Sequence, residues 1–237
     1  MGHPWWDAGM SLENPASEPT RLAGLRVHYD SGHLQEGDLP ASPLDAFTRW
    51  LEEAIEAGVT EPNAMVLATA TSQAQPSSRT VLLKNADERG FIFYTNLGSR
   101  KSREISENPQ ASCVFPWLAM HRQVCVVGRV EAISRAEAHE YFDSRPRESQ
   151  LGAWASEQSA VIADRGILDE RFADAELRYP GLVPMPDFWG GWLLVPETVE
   201  FWQGRPSRLH DRLRFRRVGR SGSCADPGAW AIERLSP

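Results

Sequence analysis

Cysteine is scarce in this chain of 237 residues: there are three, Cys113, Cys125 and Cys224. They are widely spaced, odd in number and form no C-x-x-C pair, so nothing points to a disulfide framework or a thiolate zinc site. Reduced thiols in the cytoplasm are the simpler expectation. The six histidines show no ligand spacing, and no metal is expected. No apolar run approaches the roughly 20 residues that cross a bilayer. The first residues lack the basic start and apolar core of a secretory signal. Met1-Gly2 is followed by Trp6 where acylation wants Ser or Thr. A membrane partner is therefore not expected. Neither G-x-G-x-x-G nor a P-loop is present, which argues against a doubly wound nucleotide-binding sheet. A G-x-S-x-G elbow is missing too, which argues against a Ser/His/Asp hydrolase. Positive charge is also short: 25 Lys and Arg face 32 Asp and Glu, a formal net charge of -7. That balance does not suit a nucleic-acid surface, and the local clusters of Arg point instead to small anions.

What is present suits a soluble globular chain. Residues 1–20 are rich in Pro, Gly, Ser and Glu without periodicity and are expected to form a mobile tail. Ser42-Pro43-Leu44-Asp45 opens a helix with an N-cap, a first-turn proline and a capping-box acid. Its apolar stripe is Leu44, Phe47, Leu51, Ala54 and Ile55, and Gly58 stops it. Strands are expected over 64–70, 78–84, 91–95, 110–117 and 122–133, with Gly128 marking a bulge. In an unbroken strand Arg79 and Lys84, five positions apart, face opposite sides. Ser99 caps a helix that starts Arg100-Lys101 and ends at Asn108-Pro109. Two cations at a helix N-terminus make a phosphate cradle; the same pattern also suits a plain exposed basic turn. Ser134 opens another capped helix, which stops before Pro146. Tyr141, Arg145 and Ser149 are spaced by four, so an aromatic hydroxyl, a guanidinium and a hydroxyl fall along one helical face. Asp164 caps a further helix with Ile167, Leu168, Phe172 and Ala175 inward. Residues 191–195 and 198–203 read as one hairpin, 212–218 and 229–235 as another, and the Gly/Ser-rich 219–227 between them as a flexible loop.

The densest chemistry lies at Phe201-Trp202-Gln203-Gly204-Arg205-Pro206-Ser207-Arg208-Leu209-His210-Asp211-Arg212. Arginine is a permanent fork of donors suited to phosphate or carboxylate, and His210 can donate, accept or carry charge near neutral pH. Trp202 beside them suits a flat ring. This reads as half of a site for an anionic ligand with such a ring. In all, seven to nine hairpin-connected strands with three or four helices suit an antiparallel barrel with flanking helices.

These runs together resemble the pyridoxamine 5'-phosphate oxidase family, FMN enzymes that make pyridoxal 5'-phosphate. The likeness covers about residues 25–237. It rests on Ser78-Arg79-Thr80-Val81-Leu82-Leu83-Lys84, Phe93-Tyr94-Thr95-Asn96, Gly98-Ser99-Arg100-Lys101, Arg122-Gln123-Val124 and Ser144-Arg145-Pro146-Arg147. It continues through Gln150-Leu151-Gly152-Ala153-Trp154, Phe188-Trp189-Gly190-Gly191, Glu200-Phe201-Trp202-Gln203-Gly204 and Arg208-Leu209-His210-Asp211-Arg212. The resemblance implies a mainly β, FMN-binding split β-barrel over 21–237, homodimeric, with FMN at the subunit interface. FMN would meet Arg79, Lys84, Tyr94, Thr95, Arg100 and Lys101, with backbone of Val81 and Leu82 near its ring. Gln123, Gln158, Ser159, Trp202 and Arg212 would complete that site, some from the partner chain. The substrate phosphate would sit among Lys84, Tyr141, Arg145 and Ser149, with Arg26 and Tyr29 closing over the substrate. Arg208 and His210 would be the catalytic pair at the substrate's ring and reacting carbon. The implied reaction is oxidation of pyridoxamine or pyridoxine 5'-phosphate by O2, with hydride passing from C4' to flavin N5 and release of H2O2.

Three features depart from the family pattern: Glu61 stands where Asp is expected, residues 1–20 have no counterpart, and 219–227 looks like an insertion. Two rival readings are a related oxidase of larger aromatic acids, as in phenazine biosynthesis, and a split barrel that binds flavin or pyridoxal phosphate without turnover. The row Tyr141, Arg145, Ser149 favours a phosphorylated substrate over the first, and the pair Arg208 and His210 favours turnover over the second.

Overall fold

The Ser42 cap and the Gly58 stop of the first helix act as read, but Asp45 does not close a capping box, since its carboxylate takes the Ser42 hydroxyl and not the Ser42 amide. In the computed structural model, which describes Leu25, Tyr29, residues 32–219 and residues 222–237, helix α1 spans Pro43–Glu56. The Ser42 hydroxyl accepts from the Asp45 amide at 3.1 Å and donates to the Asp45 carboxylate at 2.7 Å. The buried stripe differs from the expected one: Ala46, Phe47, Trp50 and Ala54 point inward, while Ile55 is 58% exposed. The large Trp50 ring claims the core and turns Ile55 out. The expected mobile tail, residues 1–20, and Arg26 lie outside the described residues.

Among the described residues, nine strands form one antiparallel sheet: β1 Ala64–Ala70, β2 Pro76–Leu82, β3 Asn85–Asp87, β4 Gly90–Asn96, β5 Gln110–Trp117, β6 Arg122–Ala132, β7 Trp189–Gln203, β8 Asp211–Arg217 and β9 Trp230–Leu235. Their order is β2-β1-β5-β6-β7-β4-β3, with β8 on β7 and β9 on β8. Alternate residues face the interior, as a half-buried strand requires. Met65 and Leu67 on β1, Cys113 and Phe115 on β5, Val124 and Val126 on β6, and Val199 and Phe201 on β7 are all fully buried. They meet Phe47 and Trp50 of α1 and Phe215 of β8 in one core.

β7 is the seam. Its first part pairs with β4, from Trp189 to Leu194, and its second with β8, from Thr198 to Gln203, while β6 pairs along it from Trp192 to Gln203. The expected hairpin of 191–195 and 198–203 is therefore one continuous strand. Pro196 removes a ladder donor, but the register shift between Val127 and Gly128 absorbs the irregularity. Gly128 is needed there, since a Cβ on it would stand 2.0 Å from the Val195 carbonyl oxygen.

Helices cover the cavity side: α2 Arg100–Glu107, α3 Arg135–Ser144, α4 Arg147–Ala155 and α5 Gly166–Arg178. Ser134 caps α3 by accepting from the Glu137 amide; the Glu137 carboxylate pairs with Arg89 rather than closing a box. Ser99 precedes α2, but its hydroxyl bonds Ser102 Oγ at 3.2 Å instead of a backbone amide. α5 begins after Arg165, without a side-chain cap from Asp164. Phe142 of α3, Leu151 of α4, Ala175 of α5 and Trp189 of β7 share a second, smaller core. Part of the expected flexible loop is packed: Cys224 is buried, its amide donating to the Glu88 carbonyl and its own carbonyl accepting from Leu44. Among the described residues, no helix is long and apolar enough to cross a membrane, and no cluster of His, Cys, Asp or Glu could hold a metal. The three cysteines are free.

Candidate active site

A cavity of about 950 Å³ opens between β2, β4, the start of α2 and the α3–α4 corner. Cations converge on it from separate elements. Arg79 comes from β2, Lys84 from just past its end, and Arg100 and Lys101 from the first turn of α2. β2 stops at Leu82, so the alternation that set Arg79 and Lys84 on opposite faces does not extend to Lys84; both line the same cavity. Val81 and Leu82 also line it.

Lys101 is buried, and its ammonium donates to Thr95 Oγ1 at 3.0 Å and to Gln158 Oε1 at 2.9 Å. Burial, helped by the charge of Arg79, pulls its pKa down to about 8. Ser159, with a left-handed φ of 74°, accepts from the Arg100 amide at 3.2 Å. Gln158 and Ser159 thus tie the 156–160 loop to the helix N-terminus. A free helix start with two cations, a third cation and hydroxyls around it is a donor set for a phosphate group.

The same cavity is lined by an aromatic stack. Tyr94 and Tyr141 lie 4.0 Å apart at 16°, and Tyr94 and Trp189 5.5 Å apart at 7°. Burial pushes the Tyr94 phenol up to about 12, so it stays a hydrogen-bond donor. The Arg145 guanidinium sits 5.0 Å from the Trp189 ring centre. Its Nη1 is enclosed and has no hydrogen-bond partner among the described residues. Burial lowers the Arg145 pKa, but a guanidinium stays charged at working pH. Tyr141, Arg145 and Ser149 do meet at the cavity, though not along one helix. Tyr141 is on α3, Arg145 is extended (φ -75°, ψ 147°), and Ser149 is on α4. Pro146 breaks the helix and the corner it makes brings the three together.

The remaining predicted residues form a second group that does not line the cavity. Gln123, Trp202 and Arg212 are register partners across β6, β7 and β8, so they share one face of the sheet. Trp202 lies 13 residues along β7 from Trp189, roughly 40 Å of strand contour at ~3.3 Å per residue. Arg212 pairs with Glu200 at 2.8 Å and 3.0 Å. The His210 ring centre is 4.6 Å from Trp202 and 5.6 Å from Tyr29. His210 Nδ1 accepts from the Arg205 amide at 3.1 Å, so a neutral ring carries its proton on Nε2. Burial and the nearby charge of Arg208 both lower the His210 pKa. Arg208 is exposed, and both it and Ser207 have left-handed φ values, 61° and 56°. Two such residues in succession hold strain of order 1–3 kcal/mol each, a pattern frequent at functional turns. Gly204 admits this packing: a Cβ there would stand 3.1 Å from Tyr29 Cγ and 3.0 Å from His121 Cβ. Glu61, the unexpected acid, is exposed on a turn and does not line the cavity.

Residues 51–179 match the model of pyridoxamine 5'-phosphate oxidase, and residues 189–237 match the pyridoxine 5'-phosphate oxidase C-terminal dimerisation region. The chain belongs to the pyridoxamine 5'-phosphate oxidase family. It is thus an oxidoreductase, and its split barrel fits a homodimer. A pyridoxine/pyridoxamine 5'-phosphate oxidase of Acidothermus cellulolyticus is 53% identical over 89% of this chain and 93% of its own length. One of Klebsiella pneumoniae is 49% identical over 93% of this chain and 98% of its own. Among solved structures, PhzG of Burkholderia lata, in complex with tetrahydrophenazine-1-carboxylic acid, superposes with a TM-score of 0.80. It is 33% identical over 89% of this chain and all of its own.

Several cavity residues were not singled out from sequence: Ser77, Asn96, Gly152, Ala153, Ser156 and Trp189. Trp189 was legible only as part of the Phe188-Trp189-Gly190-Gly191 run. Nothing in the local sequence marked Ser77 or its partner Glu104.

Proposed function

We propose that this chain oxidises pyridoxamine 5'-phosphate and pyridoxine 5'-phosphate to pyridoxal 5'-phosphate, using FMN and O2 in the cytoplasm. The observation that carries the reading is a single cavity lined by two sets of anion-binding side chains from different elements. FMN fits the first group. Arg79, Arg100 and Lys101 offer three cations and a helix start to a phosphate, and Thr95, Gln158 and Ser159 offer polar contacts beside it. The Arg145 corner, with its enclosed, unpartnered Nη1, suits the phosphate of the substrate, and Lys84 stands where it can serve either ligand. FMN held there would supply the redox chemistry, as hydride acceptor at N5 for substrate C4' and as the group reoxidised by O2 with release of H2O2. The protein's part is position and charge. Anchors on both phosphates hold the two rings in register, which removes much of the orientational cost.

The second group completes the site from a second copy of the chain. Gln123, Trp202 and Arg212 form a row that can border the flavin. Arg208 and His210, with the Tyr29 ring against His210, meet the substrate. His210, with Nδ1 occupied, presents Nε2–H and orients a substrate oxygen or nitrogen by donating to it. The likeness to PhzG raises a larger aromatic acid as the rival substrate. The Tyr141, Arg145 and Ser149 corner, built for a compact anion, favours the phosphate.

The test is aerobic turnover of both phosphates by the FMN-loaded protein, following aldehyde and peroxide together. Equal amounts of the two are expected. FMN bound with no aldehyde from either substrate, but turnover of a larger aromatic acid such as tetrahydrophenazine-1-carboxylic acid, would move the chain to the rival branch.

A further inference from the structure

Beneath the α2 cradle lies a carboxylate that the reading above leaves without a role. Glu104 is on α2, one turn after Arg100, and only 3% exposed. Its Oε1 accepts from Arg100 Nε at 2.8 Å. Its Oε2 accepts from Thr69 Oγ1 and from Ser77 Oγ, each at 2.5 Å, and lies 3.4 Å from Arg79 Nη2. Thr69 and Ser77 are register partners on β1 and β2. Each of these hydroxyls gives its proton to Glu104 and receives one from Arg79: Thr69 from Nη1 at 2.6 Å, Ser77 from Nη2. The polarity of this relay requires an ionised acceptor at its centre. Burial alone would raise the Glu104 pKa, but hydrogen bonds from Ser77, Thr69 and Arg100 outweigh it and hold it down at about 2.

We infer that Glu104 is a positioning residue for the phosphate cradle, fixing the guanidiniums of Arg79 and Arg100 toward one anion. The inference rests on the reading of this cavity as the FMN site. Its geometry is specific. Glu104 takes the Nε edge of Arg100 and leaves the Nη end for the cavity. Through the two hydroxyls it fixes the plane of Arg79, whose like charge would otherwise drive it away from Arg100. A fork held in place loses less freedom when it grips a phosphate. A buried carboxylate near an anion site also repels that anion, so the two effects oppose each other. With four donors turned on it, the charge of Glu104 is largely screened, and positioning dominates.

The experiment strips flavin from the full chain and titrates it with FMN and with riboflavin, which lacks the phosphate, following flavin fluorescence. For E104Q, FMN affinity should fall on the order of tenfold, the scale of one charge-assisted contact, while riboflavin affinity stays within about twofold. Because E104Q removes a buried charge, S77A serves as the milder variant if E104Q does not fold. It should show the same FMN-selective loss at about threefold, as one of several bonds to Glu104. Unchanged or tighter FMN binding would overturn the inference in favour of simple repulsion. An equal loss for FMN and riboflavin would overturn it in favour of a general structural role. Failure of the underlying reading looks different: the unmodified chain would then not prefer FMN to riboflavin.

Discussion

Three side chains in the candidate site have testable behaviour of their own. Arg145 holds an enclosed Nη1 against Trp189. Charge-assisted hydrogen bonds contribute ~1.5–3 kcal/mol, so R145A should raise the KM for a phosphorylated substrate about 10- to 100-fold and leave FMN affinity unaltered. A KM that does not move would remove Arg145 from the substrate site. Lys101 has a pKa of about 8 in the ligand-free cavity. A phosphate beside it favours the ammonium form, and that form is lost as pH rises through 8. FMN affinity should therefore decline above that point, by up to about tenfold per pH unit until the lysine's ordinary range is reached. A flat titration from about pH 7 to about 9.5 would show that Lys101 does not meet the phosphate. For His210, the Arg205 amide fixes the tautomer. Nitrogen NMR should find Nδ1 bare and Nε2 protonated; the reverse assignment would rule out the donor role.

At the level of elements, the sequence read well where a single local signal decides the outcome. The Ser42 cap, the β1–β2 and β5–β6 hairpins and the cationic start of α2 are all of this kind. It read poorly where distant residues decide. α4 was hidden because Pro146 reads as a stop and only Leu151 and Ala155 of that helix are buried, so no apolar stripe announces it. Its packing comes from α3, α5 and Trp189 instead. β7 was cut in two because Pro196 looks like a break, but a bulge that leaves Glu197 unpaired, between Pro196 opposite Gly128 and Thr198 opposite Val127, lets it continue. That makes Gly128 a sharp test. G128A places a Cβ against the Val195 carbonyl and should cost ~1–3 kcal/mol, seen as a lower urea midpoint. An unchanged midpoint would mean the bulge relaxes freely. Likewise the Glu104 relay joins β1, β2 and α2, and no window of sequence contains all three.

For the whole molecule, the decisive feature is that the predicted site residues fall into two groups at different ends of β7. The sequence listed them together because the family likeness listed them together; it carried no distances. One chain holds the cavity with both anion-binding sets, and it also holds the Trp202, His210 and Arg212 group that faces elsewhere. The C-terminal match to a dimerisation region covers β7 to β9, which carry that second group. In a twofold-symmetric pair, each group would meet the other's complement, so every site would need both copies.

Mixing two inactive variants tests this most directly. R145A damages the cavity and H210A damages the second group. With substrate held well below the raised KM of R145A, each alone should be nearly inactive in the aerobic aldehyde assay. Refolded together in equal amounts, half of the dimers would be mixed, and each mixed dimer would hold one intact site out of two. Activity should then return to about a quarter of the unmodified protein's. No recovery, with mixed dimers shown to form, would contradict the account, because both residues would then serve a site within one chain.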